Sequence, residues 1–154
     1  MRRSPTCSTA GPPVAERLHA PFTWRVRVYW EDTDAGGVVY HAGYLRFLER
    51  ARTEWLRAAG VDQSRLAAEH GLVFAVTDVE LRFLAPARLD DELLVSCQVD
   101  EVGGASLRFS QDAVRIADNR PIVAARVRAA CLAAGTFRPK PIPRHLLSLP
   151  EWSR

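Results

Sequence analysis

Between Tyr44 and Ala59 apolar side chains recur at the spacing of one helix face. Tyr44, Leu48, Ala51 and Trp55 follow at steps of four, three and four, with Leu45, Phe47, Leu56 and Ala59 widening the stripe. This spacing predicts a central, mostly buried helix over about 41–59. Gly60 is suited to the left-handed position that ends such a helix. Asp62 can cap a short second helix, Gln63–His70, closed by Gly71. The other apolar runs alternate with period two and therefore read as strands. They are Trp24–Trp30, Leu72–Leu84, Leu93–Val99, Ser106–Ile116 and Pro121–Leu132. Trp24, Val26, Val28 and Trp30 share a face of the first. Gly103-Gly104 and Asp118-Asn119 supply turns. The apolar phase slips between Phe109 and Val114, which predicts a β-bulge in that strand.

One long helix followed by strands joined through short turns gives an α+β domain, its antiparallel sheet curled around the helix. A single sheet covers only part of a helix that is apolar over so much of its circumference. A homodimer or homotetramer would complete the burial.

Composition narrows the function classes. Hydrophobic residues at 47% and charged ones at 25% describe a soluble globular chain, and 154 residues suffice for one domain with its own core. The basic balance belongs to the ends. Arg2, Arg3 and Arg17 against Glu16 give residues 1–21 a net +2, and Arg138, Lys140, Arg144 and Arg154 against Glu151 give residues 138–154 a net +3. The segment between is net −2, so the domain offers no basic face for nucleic acid. Residues 1–21 read as a disordered leader, 22–137 as the domain and 138–154 as a basic, proline-rich tail. Arg2-Arg3 is not followed by an apolar segment, so no signal peptide and no stable membrane insertion is expected. Cys7, Cys97 and Cys131 lack metal-ligand spacing; the last two lie in alternating runs and read as buried, reduced thiols of a cytoplasmic protein. No metal site and no nucleotide-binding glycine motif is present.

The chemistry concentrates in Glu31–Arg52, EDTDAGGVVYHAGYLRFLERAR. Three carboxylates in four positions (Glu31, Asp32 and Asp34) lead through Gly36-Gly37 and Tyr40-His41 into the helix. A helix start offers unpaired backbone N–H groups and a partial positive charge, both favourable to a developing oxyanion. A carboxylate just upstream can act as base or nucleophile. Composition alone favours an acidic surface loop before a helix.

The stretch VRVYWEDTDAGGVVYHAGYLRFLERARTEWL resembles the N-terminal half of hotdog-fold acyl-CoA thioesterases of the 4-hydroxybenzoyl-CoA thioesterase superfamily, and within it the subfamily associated with the Tol–Pal cell-envelope system. The likeness continues through Val79–Val95 (VELRFLAPARLDDELLV) and Arg138–Pro143, covering about 22–143. It implies a hotdog fold and hydrolysis of acyl-CoA, or of an acyl carrier protein thioester, without a cofactor. It also implies a catalytic carboxylate at Asp34 and an oxyanion-binding backbone N–H at His41. Gly36, Gly37, Val39 and Tyr40 become substrate-binding positions, and Glu31 and Asp32 possible supports behind them. Gly43 departs from the Asn or Ser of many relatives. A hotdog hydratase or dehydratase is a rival, as is an acyl-binding scaffold without activity. The DxDxxG loop argues against the first and intact Asp34 against the second.

Overall fold

A computed structural model describes residues 21–147. The expected leader lies outside the described residues apart from Pro21. Five antiparallel strands, β1 (Phe22–Arg27), β2 (Leu72–Phe83), β3 (Glu92–Val102), β4 (Ser106–Arg115) and β5 (Arg120–Ala133), form one sheet in the order β1-β3-β4-β5-β2. Three helices accompany it: α1 (Gly43–Ala58), α2 (Gln63–His70) and α3 (Arg144–Leu147). This is the α+β arrangement expected.

Helix α1 packs Tyr44, Phe47, Leu48, Ala51, Trp55 and Leu56 into the core. Each large side chain so buried contributes about 1.5–3 kcal/mol. Opposite it, β3 presents Leu93, Val95, Cys97 and Val99, β4 presents Leu107 and Phe109, and the Trp55 ring meets Phe109 edge-on at 5.5 Å. Gly60 (φ +81) and Gly71 (φ +61) terminate α1 and α2 in the left-handed region. The Asp62 carboxylate accepts from Arg65 N at 2.9 Å at the start of α2. Leu45, expected in the stripe, is exposed. The other large apolar side chains of α1 are buried within the single chain, so the expected shortage of cover on this helix is not found.

The bulge is found, but in another strand. The core phase of β4 runs unbroken through Leu107, Phe109, Gln111 and Ala113. Gln111 is a buried polar residue on the core face, and its polarity imitates a change of phase. The extra residue is Ile122 in β5, since Ala113 pairs with Val123 while Val114 pairs with Pro121. Ile122 and Val123 are consequently both buried. Further register shifts fall at Val76/Asp78 and Val99/Glu101. Bulges bend strands and increase their twist, which lets this sheet curl over α1.

Two boundaries differ from expectation. β1 ends at Arg27, and Trp30 falls in a 3-10 turn (Trp30–Asp32) with 79% of its surface exposed rather than sharing a face with Val26 and Val28. Packing also continues beyond residue 137. Lys140 N donates to Cys131 O and Ile142 N to Gly104 O, each at 2.9 Å, while Ile142 and Leu146 lie in the core. Prolines remove donors that this edge position does not need, so an extended, proline-rich segment can dock against β5. Residues 148–154 lie outside the described residues.

Cys97 and Cys131 are free and buried as expected, and burial pushes the Cys97 thiol up to about 12. Among the described residues no helix is long and apolar enough to cross a membrane. The docking of the C-terminal segment predicts that Ile142→Ala lowers stability by about 2–5 kcal/mol, as for other large-to-small core changes. Thermal unfolding measures this; an unchanged Tm would mean the segment is not part of the folding unit.

Candidate active site

The loop between β1 and α1 is built on Asp32. Its carboxylate is 2% exposed and is used on both sides. Oδ2 accepts from Tyr29 N at 2.9 Å, closing the 3-10 turn, and Oδ1 accepts from Arg46 Nη2 of α1 at 3.1 Å. The Asp32 carbonyl also accepts from Tyr40 N at 2.9 Å. Asp32 thus ties the start of the loop to its end and to the first turn of the helix. It is therefore buried, unlike its exposed neighbour Glu31.

Above this anchor Thr33 bridges Val39, and the chain between them turns as a tight hairpin. Asp34 N donates to Val38 O and Gly37 N to Asp34 O, both at 3.0 Å. Three loop residues ending in a left-handed one is a common hairpin form, and Gly37 takes that position at φ +73. Gly36 has a different task. Its N–H donates to Asp34 Oδ1 at 2.7 Å, and a Cβ there would stand 3.0 Å from the same oxygen. Both glycines therefore shape the turn that holds the Asp34 carboxylate. Asp34 is exposed, and among the described residues nothing donates to its Oδ2.

Val39 is buried and its N–H donates to Ala87 O at 2.9 Å, fastening the hairpin to the β2–β3 connection. Ala87 N in turn donates to the Tyr44 hydroxyl at 3.2 Å. Burial raises the pKa of this phenol, which remains protonated. Tyr40 and His41 are exposed, their rings 4.3 Å apart and tilted by 49°. Helix α1 has no side-chain cap at its N-terminus, where Ala42 stands. Among the described residues no group accepts from His41 N–H. A Cβ on Gly43 would meet Val39 Cγ1 at 3.4 Å, ordinary contact, so a Ser there would fit this backbone.

The six expected site residues therefore lie on one continuous turn of chain, with Arg46 and Ala87 as supports that sequence reasoning did not single out. Two clefts among the described residues, of about 350 and 100 Å³, are lined by other residues. The Asp34 turn is an open surface in a single chain. Glu49 accepts from Thr53 Oγ1 at 2.7 Å. Arg88 and Asp91 do form a loop network, Arg88 N donating to Asp91 Oδ2 and Arg115 Nη1 lying 3.2 Å from that oxygen. The His70 and His145 rings lie 5.5 Å apart. His19 lies outside the described residues. No group of three or more metal-ligating side chains occurs among the described residues.

If Asp32 carries the loop, Asp32→Ala leaves the Tyr29 amide and Arg46 without their acceptor. We expect a loss of about 1–3 kcal/mol, toward the lower end because Arg46 is half exposed. Chemical denaturation checks the size, and an effect below that of a neutral surface substitution would remove Asp32 from this role.

Residues 28–149 match the family model described as the thioesterase-like superfamily. The acyl-CoA thioesterase YbgC of Haemophilus influenzae is 44% identical over 125 residues, covering 81% of this chain and 90% of the relative. The acyl-CoA thioester hydrolase YbgC of Escherichia coli O157:H7 is 43% identical over 127 residues, covering 82% and 93%. Among solved structures, a probable thioesterase from Bartonella henselae superposes with a TM-score of 0.76 at 35% identity, covering 80% of this chain and all of the other.

Proposed function

Because the chain belongs to the thioesterase-like superfamily, we propose that it is an acyl-CoA thioesterase acting through Asp34. The reaction adds water across the acyl–sulfur bond and releases a carboxylic acid and the thiol of CoA. The observation carrying the reading is the Asp34 turn. One carboxylate oxygen is held by the Gly36 amide while the other has no partner among the described residues, and the chain runs on into an uncapped helix start. A carboxylate so placed can serve as base or nucleophile. In one route Asp34 removes a proton from water as the oxygen attacks the carbonyl. In the other it attacks directly, and water then opens the resulting anhydride. Both routes place negative charge on the carbonyl oxygen, which the His41 N–H at the positive end of α1 would stabilise. Tyr40 would line the approach, buried Val39 would hold the turn in place beneath it, and Gly36 and Gly37 keep it free of side chains. An acyl carrier protein thioester offers the same reacting bond. The buried, reduced thiols suit a cytoplasmic setting.

Hydrolysis of acyl-CoAs from short to long chain and aromatic, followed by release of free thiol, tests the activity. Asp34→Asn keeps the shape and is expected to lower kcat by about 10²–10⁴-fold, the range for loss of a positioned acid–base group. Near-normal turnover by this variant would remove Asp34 from the mechanism.

The same reading includes a homodimer or homotetramer. Strand β2 pairs only with β5, so its outer edge is open, and Val76, Val79, Phe83 and Leu84 are exposed along it. An open edge strand of twelve residues that leaves several apolar side chains exposed is an invitation to pair with another strand. Two copies joined across a two-fold axis at β2 would cover that edge and wall the otherwise open Asp34 turn. Light scattering is expected to give at least twice 17.2 kDa. Val79→Asp on the free edge should shift the mass toward a single chain and reduce activity with it. A fully active single chain would overturn the shared site.

A further inference from the structure

We propose that the 350 Å³ cleft at the β1 edge binds the phosphate-bearing nucleotide end of CoA. This deepens the thioesterase reading and rests on it for the identity of the ligand. Arg25 and Arg27 of β1, Arg50 of α1, Trp24, Tyr29 and Glu92 line the cleft. Three arginines and one carboxylate line it, and the arginines are unequally engaged. Arg27 is committed, with Nη2 2.7 Å from Glu92 Oε1 and Nη1 donating to Asp90 O at 2.9 Å. Arg25 stands 3.7 Å from Glu92 and is largely exposed. Arg50 has no carboxylate partner among the described residues, and its guanidinium lies 5.9 Å from the centre of the Phe47 ring.

The cleft therefore holds two cationic forks with spare donors, the geometry that recognises phosphate oxygens. The exposed Tyr29 ring and part-exposed Trp24 ring stand beside them, and aromatic faces of this kind stack on nucleobases. Phosphates beside an aromatic face describe an adenosine bisphosphate better than they describe an acyl chain. The position suits one substrate serving both places. Tyr29 lines the cleft and its amide binds Asp32, the root of the Asp34 turn, while Arg50 lies one helical turn beyond Arg46, the other partner of Asp32. The nucleotide would sit beside the anchor and the thioester above it, with the flexible linker of CoA between them.

Adenosine 3′,5′-bisphosphate tests the cleft without requiring turnover. Calorimetry on the full chain is expected to show binding that weakens with added salt, and by about tenfold in Arg50→Ala and in Arg25→Ala. Arg50→Lys should restore part of the loss. In parallel, both alanine variants should raise KM for an acyl-CoA by a similar factor, with kcat unchanged and turnover of the corresponding acyl-pantetheine unaltered. Absent bisphosphate binding, or binding that neither variant changes, overturns the proposal. So does a defect confined to acyl carrier protein thioesters, which would make the cleft a protein contact. Bisphosphate binding that depends on Arg25 and Arg50 in a chain hydrolysing no thioester would support the cleft and overturn the thioesterase reading instead.

Discussion

A carboxylate buried to 2% exposure is held in place by what it bonds, and the loop of this protein is organised around such a group. Asp32 exchanges its hydration for a backbone amide on one oxygen and a guanidinium on the other. An unpaired charge there would be strongly unfavourable, so the native loop is confined to conformations that keep both partners. Arg46 reaches it only if α1 begins where it does, and Tyr29 only if β1 ends in the 3-10 turn. One ion pair thereby fixes the strand end, the turn and the helix start relative to one another. Asp34, two residues on, inherits a rigid base without itself being buried.

The fold was legible wherever residue type and burial agree. The stripe of α1, the alternation of β3 and the glycines ending both longer helices give the same answer from sequence and from structure. It was illegible where a residue's type contradicts its place. Gln111 reads as solvent-facing but is buried, because Arg52 donates to its Oε1 and its Nε2 donates to Leu48 O and Ser96 O. Nothing local announces those partners, which come from two other elements, α1 and β3. Trp30 fails in the opposite sense, as an aromatic in phase with a core strand that a turn has already carried outward. The C-terminal segment misleads through composition. Prolines and positive charge suggest a solvated tail, while Ile142 and Leu146 find a groove whose existence depends on strands far away in sequence.

The candidate site was legible in part, and for a different reason. Asp34 carried a recognisable motif, and the glycines after it announced a turn. Their division of labour was not readable. Gly37 is required by its left-handed φ, whereas Gly36 is required because its amide and its missing Cβ face Asp34 Oδ1. Two adjacent glycines look alike in sequence, and only the direction of each peptide separates a conformational need from a steric one. Arg46 and Ala87 were invisible because one acts as a counter-charge across fourteen residues and the other through its main chain alone.

The two edges of the sheet complete the argument by being unlike. β1 is six residues long and carries Arg25 and Arg27 on its outward face, with Glu92 of the neighbouring strand beside them. Short length and charge are the usual means by which an edge discourages strand pairing. β2 is twice as long and, beside exposed Asp78, Glu80 and Arg82, leaves Val76, Val79 and Phe83 exposed, with Leu84 just past its end. Charge that disfavours a second sheet at β1 favours an anion there, while apolar surface that would be costly to leave wet at β2 favours another copy of the chain. The Asp34 turn stands between these tendencies. Its root is bound to Tyr29 at the end of β1, and its far side, through Val39 and Ala87, to the connection that leaves β2. A substrate with one charged end and one apolar end matches that polarity.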